Sequence, residues 1–460
     1  MPRRVLLSVS VLILATVQAC APGDEPRPVP DGPNVLLLTI DTFRSDHVGC
    51  LGAPGNHTPR IDALAAQSTL FENCLAPIST TFPSHASILT GLYPRFHGVR
   101  WNGHRLDESF ETLTEILEAE GWDTGAFVAL KSMLERGGLE QGFHEVSDRE
   151  KDREAEKVRH GADVNGLVKK WLSARKSERP FFLWVHYYEP HGPYPVTDYA
   201  RDAMAESGYA GPFKDGADWK LIRDVTLKDP ADRKAIQDLY AGRVRDADRL
   251  TGELLDLLDS MNLMEKTAVI LTGDHGQMLG EAFKETPLFG HGPVLWEGVL
   301  KVPLIVRDPA RPEPRRVAQR VGLVDIMPTL LDFLGFDPPA ECQGRSLLAA
   351  LDGDALDART YVAEVRVPPP EGAEDPAGHF RDRVAVYREG MKVVFPDKVV
   401  YDLERADPEL NPLPAGSEHE LIEKLDVVAR RFLTFDENRS RSSDLDEDDL
   451  EELRKLGYVK

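Results

Sequence analysis

Basic residues are scarce beside acidic ones: 55 Lys and Arg stand against 77 Asp and Glu, a net charge of −22 over 460 residues. Affinity for a phosphate backbone needs an excess of cations, so nucleic acid is excluded as a partner. Cysteine is rarer still: four residues are too few for the disulfide framework of a small secreted domain. No apolar run reaches the roughly 20 residues that cross a bilayer as a helix. Internal repeats are absent. An apolar content of 42% excludes a globally disordered chain. What is present is enough chain to bury a large core, in one large α/β unit with an appendage or in two to three units.

The first residues read as an address. Arg3 and Arg4 precede a short, mostly apolar stretch from Val5 to Val17, then Gln18, Ala19 and Cys20, so residues 1–19 are expected to be an export signal. Val17-Gln18-Ala19-Cys20 resembles the lipobox of bacterial lipoproteins. That resemblance implies a lipidated Cys20 and a mature chain anchored to a membrane, facing the periplasm, with the outer membrane favoured. Residues 20–33 are rich in Pro, Gly, Asp and Glu, and are expected to form a flexible tether. Cleavage removes two arginines and no acid, which takes the net charge from −22 to −24. Export leaves Cys50 and Cys74 two options, a disulfide or buried thiols.

From Asn34 onward, apolar runs alternate with helical patterns. Val35–Ile40 is a continuous apolar run, as expected of a strand buried on both faces, and it ends in Asp41. Thr58-Pro59 supplies a cap and a first-turn proline for a helix to about Ser68. Further strands are expected at Ala126–Leu130, Pro180–Tyr187, Ala268–Thr272 and Val302–Val306. The longest helix is expected over Asp238–Met261, where Tyr240, Val244, Ala247, Leu250, Leu254 and Leu258 form one stripe. The fold class is therefore α/β, a mainly parallel central sheet with helices on both faces over residues 34–335. Residues 336–460 carry short strand-like segments and a helix near Glu418–Phe432. They are expected to form a small antiparallel α+β subdomain ending in an acidic tail. The Pro-, Gly- and Asp-rich stretch Tyr194–Asp229 reads as loop.

In an open α/β sheet, ligands bind at the carboxyl ends of strands. Two expected strand ends deliver carboxylates there, Asp41 and Asp274, the second followed by His275. A third segment runs Thr80-Thr81-Phe82-Pro83-Ser84-His85. Pro83 suits a first helical turn, which places Thr81 at a helix N-terminus, where free N–H groups and the dipole favour anions. A hydroxyl beside a dication held by Asp41, Asp274 and His275 is arranged to become an alkoxide nucleophile.

These motifs resemble the sulfatase branch of the alkaline phosphatase superfamily across nearly the whole chain. Asp41-Thr42-Phe43-Arg44-Ser45-Asp46 is similar to the family's first metal-binding strand end. Thr81-Phe82-Pro83-Ser84-His85 through Tyr93-Pro94-Arg95 is similar to its nucleophile signature. His186-Tyr187-Tyr188-Glu189-Pro190-His191-Gly192-Pro193-Tyr194 resembles the substrate-contacting segment, and Gly290-His291-Gly292 the late histidine block. The resemblance implies the alkaline phosphatase/sulfatase fold and ester hydrolysis with a divalent metal.

Three positions depart from that pattern together. Sulfatases oxidise a Cys or Ser to formylglycine, which needs a primary carbon; Thr81 carries a methyl on Cβ and cannot give the aldehyde. The arginine that follows the nucleophile is His85, and the paired Asp of the first strand end is Asp41-Thr42. The family's active-site lysine has no counterpart at matching spacing, since Lys131 is displaced. The changes resemble the branches of the superfamily that phosphorylate an unmodified Thr. The expectation is one divalent metal on Asp41, Thr81, Asp274 and His275, with Zn²⁺ or Mn²⁺ favoured over Ca²⁺. His191, His291 and His85 are expected as catalytic partners. His191 and His291 have three options: orienting the phosphate, protonating the leaving group, or holding a second metal. His186 is read as structural. The function expected is an exported phosphate-ester hydrolase or transferase acting through Thr81 on a small-molecule or lipid- or glycan-linked anionic ester. Two alternatives stand beside it, a sulfatase without formylglycine and an inactive binding protein on the same scaffold.

Overall fold

The structure, a computed structural model, describes residues 29–30, 32–147, 158–225, 227–283, 286–367, 381–405, 408–414, 416–417 and 419–433. The export signal, Cys20, most of the tether and the acidic tail lie outside the described residues. Among the described residues, no helix is long and apolar enough to cross a membrane.

The first strands are β1 (Asn34–Ile40), β2 (Thr69–Leu75), β3 (Asp123–Val128), β4 (Glu145–Val146), β5 (Phe181–Tyr187) and β6 (Thr267–Gly273). A hairpin comes next, β7 (Met278–Phe283) with β8 (Thr286–Gly290), then β9 (Lys301–Arg307), β10 (Arg315–Val317) and β11 (Val321–Gly322). The central sheet has the order β10-β2-β9-β6-β1-β5-β3-β4, with β11 also pairing β2. β1, β5 and β6 are buried along their whole lengths, which is why their sequences are continuous apolar runs. Both neighbours of β1 run parallel to it, and Ile40 stands opposite Tyr187 and Gly273. Three strands thus end level, and their next residues are Asp41, Tyr188 and Asp274.

β9 departs from the parallel pattern. It runs antiparallel to both β6 and β2, so the sheet is mixed but mostly parallel. Two short helices flank it, α1 (Pro59–Ala65) and α2 (Thr81–Thr90). All ten residues of α2 are buried, although half of its side chains are polar, which marks a helix packed around chemistry.

Two sequence expectations need correction. The long helix runs over Pro230–Ser260 and starts well before the apolar stripe, because Asp229 caps it and Pro230 occupies its first turn. Tyr194–Asp229 is not simply loop. Thr197 and Asp218 each accept a backbone N–H three residues on and so cap the helices Asp198–Glu206 and Trp219–Asp224. Cys50 and Cys74 are free thiols, the first half-buried and the second buried.

The C-terminal sheet has the order β12 (Tyr361–Val367), β13 (Arg381–Arg388), β14 (Met391–Phe395) and β15 (Val399–Asp402), antiparallel throughout. The helix His419–Leu433 lays Leu425, Ala429 and Phe432 over it, making a second core with Val384, Val386, Val393 and Phe395. Two buried ion clusters join this sheet to the rest. Arg95 and Arg100 meet Glu364 and Asp382, and Lys392 meets Glu297 and Glu409.

Candidate active site

The level ends of β1 and β6 bring Asp41, Asp274 and His275 together, each fully buried, with one ligand atom of each within 4.8 Å of the others. The first turn of α2 adds Thr81, whose Oγ1 is 3.2 Å from His275 Nε2. Asn102 fixes that turn, accepting the Phe82 N–H at 2.8 Å. Sequence reasoning passes over this buried asparagine, because it lies in an irregular segment with no helical or strand period to frame it.

The electrostatics fit a cation. Asp274 Oδ1 accepts the N–H groups of Thr42 and His275, but Oδ2 is buried with no hydrogen-bond partner among the described residues. Burial, then the neighbouring Asp41, pushes the Asp274 carboxyl well above the usual carboxylate range. Burial also acts to raise Asp41, yet His191, His186 and His275 carry it well below that range. Two carboxylates at one site resist joint ionisation, and a divalent cation between them removes the conflict. His275 is oriented for the same task. Its Nδ1–H donates to the Gly276 carbonyl at 2.9 Å, leaving the Nε2 lone pair toward Thr81 and the two acids. Burial lowers its pKa to about 4, so the ring is neutral at pH 7.

His191 and His291 form a second arrangement. Each Nδ1–H is committed to a carbonyl, Gly192 at 2.7 Å and Ser79 at 3.1 Å, and the two Nε2 atoms face one another at 3.3 Å. Two lone pairs at that distance require something shared between them, a proton or a cation. Burial lowers both pKa values, His291's strongly. The His291 ring also lies 4.5 Å from that of His275, so the pair adjoins the nucleophile.

His85 takes a different place from the catalytic one expected of it. Its Nδ1 lies 2.9 Å from the Thr81 carbonyl and its Nε2 3.0 Å from Thr39 Oγ1, so both ring nitrogens are occupied within the protein. It orients the nucleophile's turn from behind. Thr39 is the hub of this layer, with Trp184 Nε1 at 3.0 Å and His186 Nδ1 at 2.9 Å. Burial keeps His85 neutral, and the carbonyl demands the proton on Nδ1, so Nε2 accepts from the Thr39 hydroxyl. That hydroxyl has no second proton, and the network assigns a proton to His186 Nδ1. His186 Nε2 then faces Asp41 Oδ2 at 3.8 Å. Sequence pattern alone reads His186 as structural; the cross-strand register, which stands it opposite Thr39, puts it directly behind a metal-ligand candidate.

The comparisons with known proteins agree with this geometry. The sulfatase family model matches residues 33–336, most of the chain. Arylsulfatase K of Rattus norvegicus is 25% identical over 398 residues, spanning 75% of this chain and 67% of that protein. The multifunctional alkaline phosphatase superfamily protein PehA of Trinickia caryophylli is 26% identical over 414 residues, 72% of this chain and 79% of that one. In fold, the chain is similar to the phosphonate monoester hydrolase of Agrobacterium radiobacter, with a TM-score of 0.68 at 22% identity, covering 89% of this chain and 97% of that one. A matched sheet, carboxylates at its strand ends and a family model over residues 33–336 lead to one conclusion: this chain belongs to the sulfatase family of the alkaline phosphatase superfamily, a family of hydrolases.

Proposed function

We propose that the chain hydrolyses phosphate esters, or transfers their phosphoryl group, through Thr81 as an unmodified nucleophile. The observation that carries this reading is Thr81 Oγ1 standing 3.2 Å from a neutral His275 beside Asp41 and Asp274. Asp41, Asp274, His275 and Thr81 would hold one divalent cation, and two carboxylates with an imidazole suit Zn²⁺ or Mn²⁺ better than Ca²⁺. When bound, the cation supplies positive charge that favours ionisation of the threonine hydroxyl and offsets charge on the phosphoryl oxygens.

The chain's own residues do the rest. The α2 N-terminus orients the anionic phosphoryl group along the helix dipole. Thr81 Oγ1 attacks in line, so a P–O bond forms to threonine as the bond to the leaving alcohol breaks. A proton shared between His191 and His291 passes to the departing oxygen. Water, or an acceptor alcohol, then releases the phosphothreonine. His85 and Asn102 hold the turn that carries Thr81, and His186 backs Asp41.

Relatives named as sulfatases favour a second reading, sulfate-ester hydrolysis by the same residues. Matched aryl phosphate monoester, phosphodiester and sulfate substrates, assayed with Zn²⁺ or Mn²⁺ and with Thr81→Ala as control, separate the two. Fastest turnover of a phosphate substrate is expected. Sulfate turned over fastest, with the variant inactive, moves the assignment to the sulfatase reading. No turnover of any ester moves it to a binding protein. We further propose export and anchoring through a lipidated Cys20; a Cys20→Ser chain released into the soluble fraction is the expected outcome.

A further inference from the structure

Beside His191 lies a cleft of about 650 Å³, walled by Tyr188, Glu189, Tyr194, Leu221 and Arg243 among others. Tyr188 joins it to the candidate active site, its ring packing on His191 with centroids 4.6 Å apart. Trp219 closes on the same histidine at 5.7 Å, an approach that Gly192 allows: a Cβ there would come within 2.8 Å of the indole.

The cleft gathers buried polar atoms with nothing to bond to. Glu189 is 3% exposed; its Oε1 accepts the Gly161 N–H at 3.3 Å and lies 3.5 Å from Arg243 Nη2, while Oε2 has no partner among the described residues. The same holds for Arg243 Nε, Tyr194 Oη and Trp219 Nε1. Folded proteins leave few such atoms, and four of them grouped on one side of one histidine call for a ligand that satisfies them. Their pattern defines its chemistry. Oε2 needs a donor, the two N–H groups need acceptors, and the tyrosine hydroxyl takes either. Neighbouring hydroxyl groups supply both. An anion meets the Glu189 carboxylate and a cation meets the Arg243 guanidinium, so the ligand is neutral.

We propose that this cleft binds the alcohol part of the ester, and that this alcohol is a neutral polyhydroxylated ring, a hexose, recognised by Glu189, Arg243 and Tyr194. This rests on the active-site reading above and adds the class of substrate. Glu189 and Arg243 are specificity-determining residues here.

The test compares hexose 6-phosphate and 6-sulfate with phenyl phosphate and phenyl sulfate, in the metal-loaded full chain. The wild-type kcat/KM ratio of hexose ester to phenyl ester is expected to fall about tenfold or more in Glu189→Gln, as loss of a hydrogen bond to a charged group implies. Tyr194→Phe guards against misfolding. Removing a buried hydroxyl that bonds to nothing leaves the melting temperature unchanged or raises it, while the same ratio falls several-fold. A ratio unchanged in both variants overturns the subsite and leaves the Thr81 reading intact. If no ester is turned over, Thr81 chemistry fails, and the cleft is judged by saturation-transfer NMR with methyl hexosides. Binding lost in Glu189→Gln upholds it; no binding to the wild-type protein overturns it.

Discussion

The protein buries charge in two regions by opposite rules. At the join with the C-terminal sheet, Lys392 meets Glu297 and Glu409, and Arg95 and Arg100 meet Glu364 and Asp382, so each charge faces its opposite. At the strand ends, two carboxylates crowd together, Asp274 Oδ2 has no partner among the described residues, and His191 and His291 point Nε2 at Nε2. Burial costs are similar in both places. The first arrangement is complete by itself and serves structure. The second is complete only when a cation and a substrate arrive, which is how buried polar groups announce chemistry.

Substitutions ought to pull the two regions apart. Thr81→Ala is expected to lower kcat by about 10⁴-fold with the melting temperature unchanged, since a catalytic unit fails together when its nucleophile is lost. Lys392→Met does the reverse. It leaves Glu297 and Glu409 buried without their cation and is expected to cost about 3–5 kcal/mol in denaturant unfolding, with kcat below the transition within about twofold. A Lys392→Met chain as stable as wild type breaks the contrast.

Metal sharpens it. Zn²⁺ at a hundred times its dissociation constant is expected to stabilise the wild type by about 2.7 kcal/mol. Asp274→Asn is expected to lose most of that gain. Without metal it melts at or above the wild-type temperature, because a like-charged neighbour of Asp41 is gone. Calorimetry with and without chelator reads both effects.

The smallest effect comes from pH. His97 accepts the Val99 N–H at 3.1 Å and bonds Ser87 Oγ at 2.9 Å, and burial lowers its pKa to about 3 from 6.5. Between these values the unfolded chain binds a proton that the folded one does not. Stability therefore falls as pH drops below 6.5, by about 2 kcal/mol at pH 5 for one such group. His97→Gln is expected to flatten that limb of a pH-dependent unfolding curve.

Much of the site is legible in the sequence. Asp41, Asp274 and His275 come directly after apolar runs, and Thr81 precedes a proline-marked helix, so local pattern alone places them at strand ends and a helix start. The partners behind them are not legible. Thr39 and His186 are 147 residues apart and meet only through the register of β1 and β5. His85 looks free to face a substrate because its partner, Thr39, comes from another element. The capped helices Asp198–Glu206 and Trp219–Asp224 hide in Pro- and Gly-rich texture, and the direction of β9 leaves no mark on its apolar run.

Everything proposed for the chemistry turns on Thr81 taking up phosphorus. Acid quenching of the metal-loaded enzyme during turnover of an aryl phosphate, with peptide mass spectrometry of the product, reads this directly. A phosphate on Thr81, absent without substrate and absent in Thr81→Ala, is the expected result. Sustained turnover with phosphate never on Thr81, in an enzyme whose Thr81→Ala variant stays active, contradicts it.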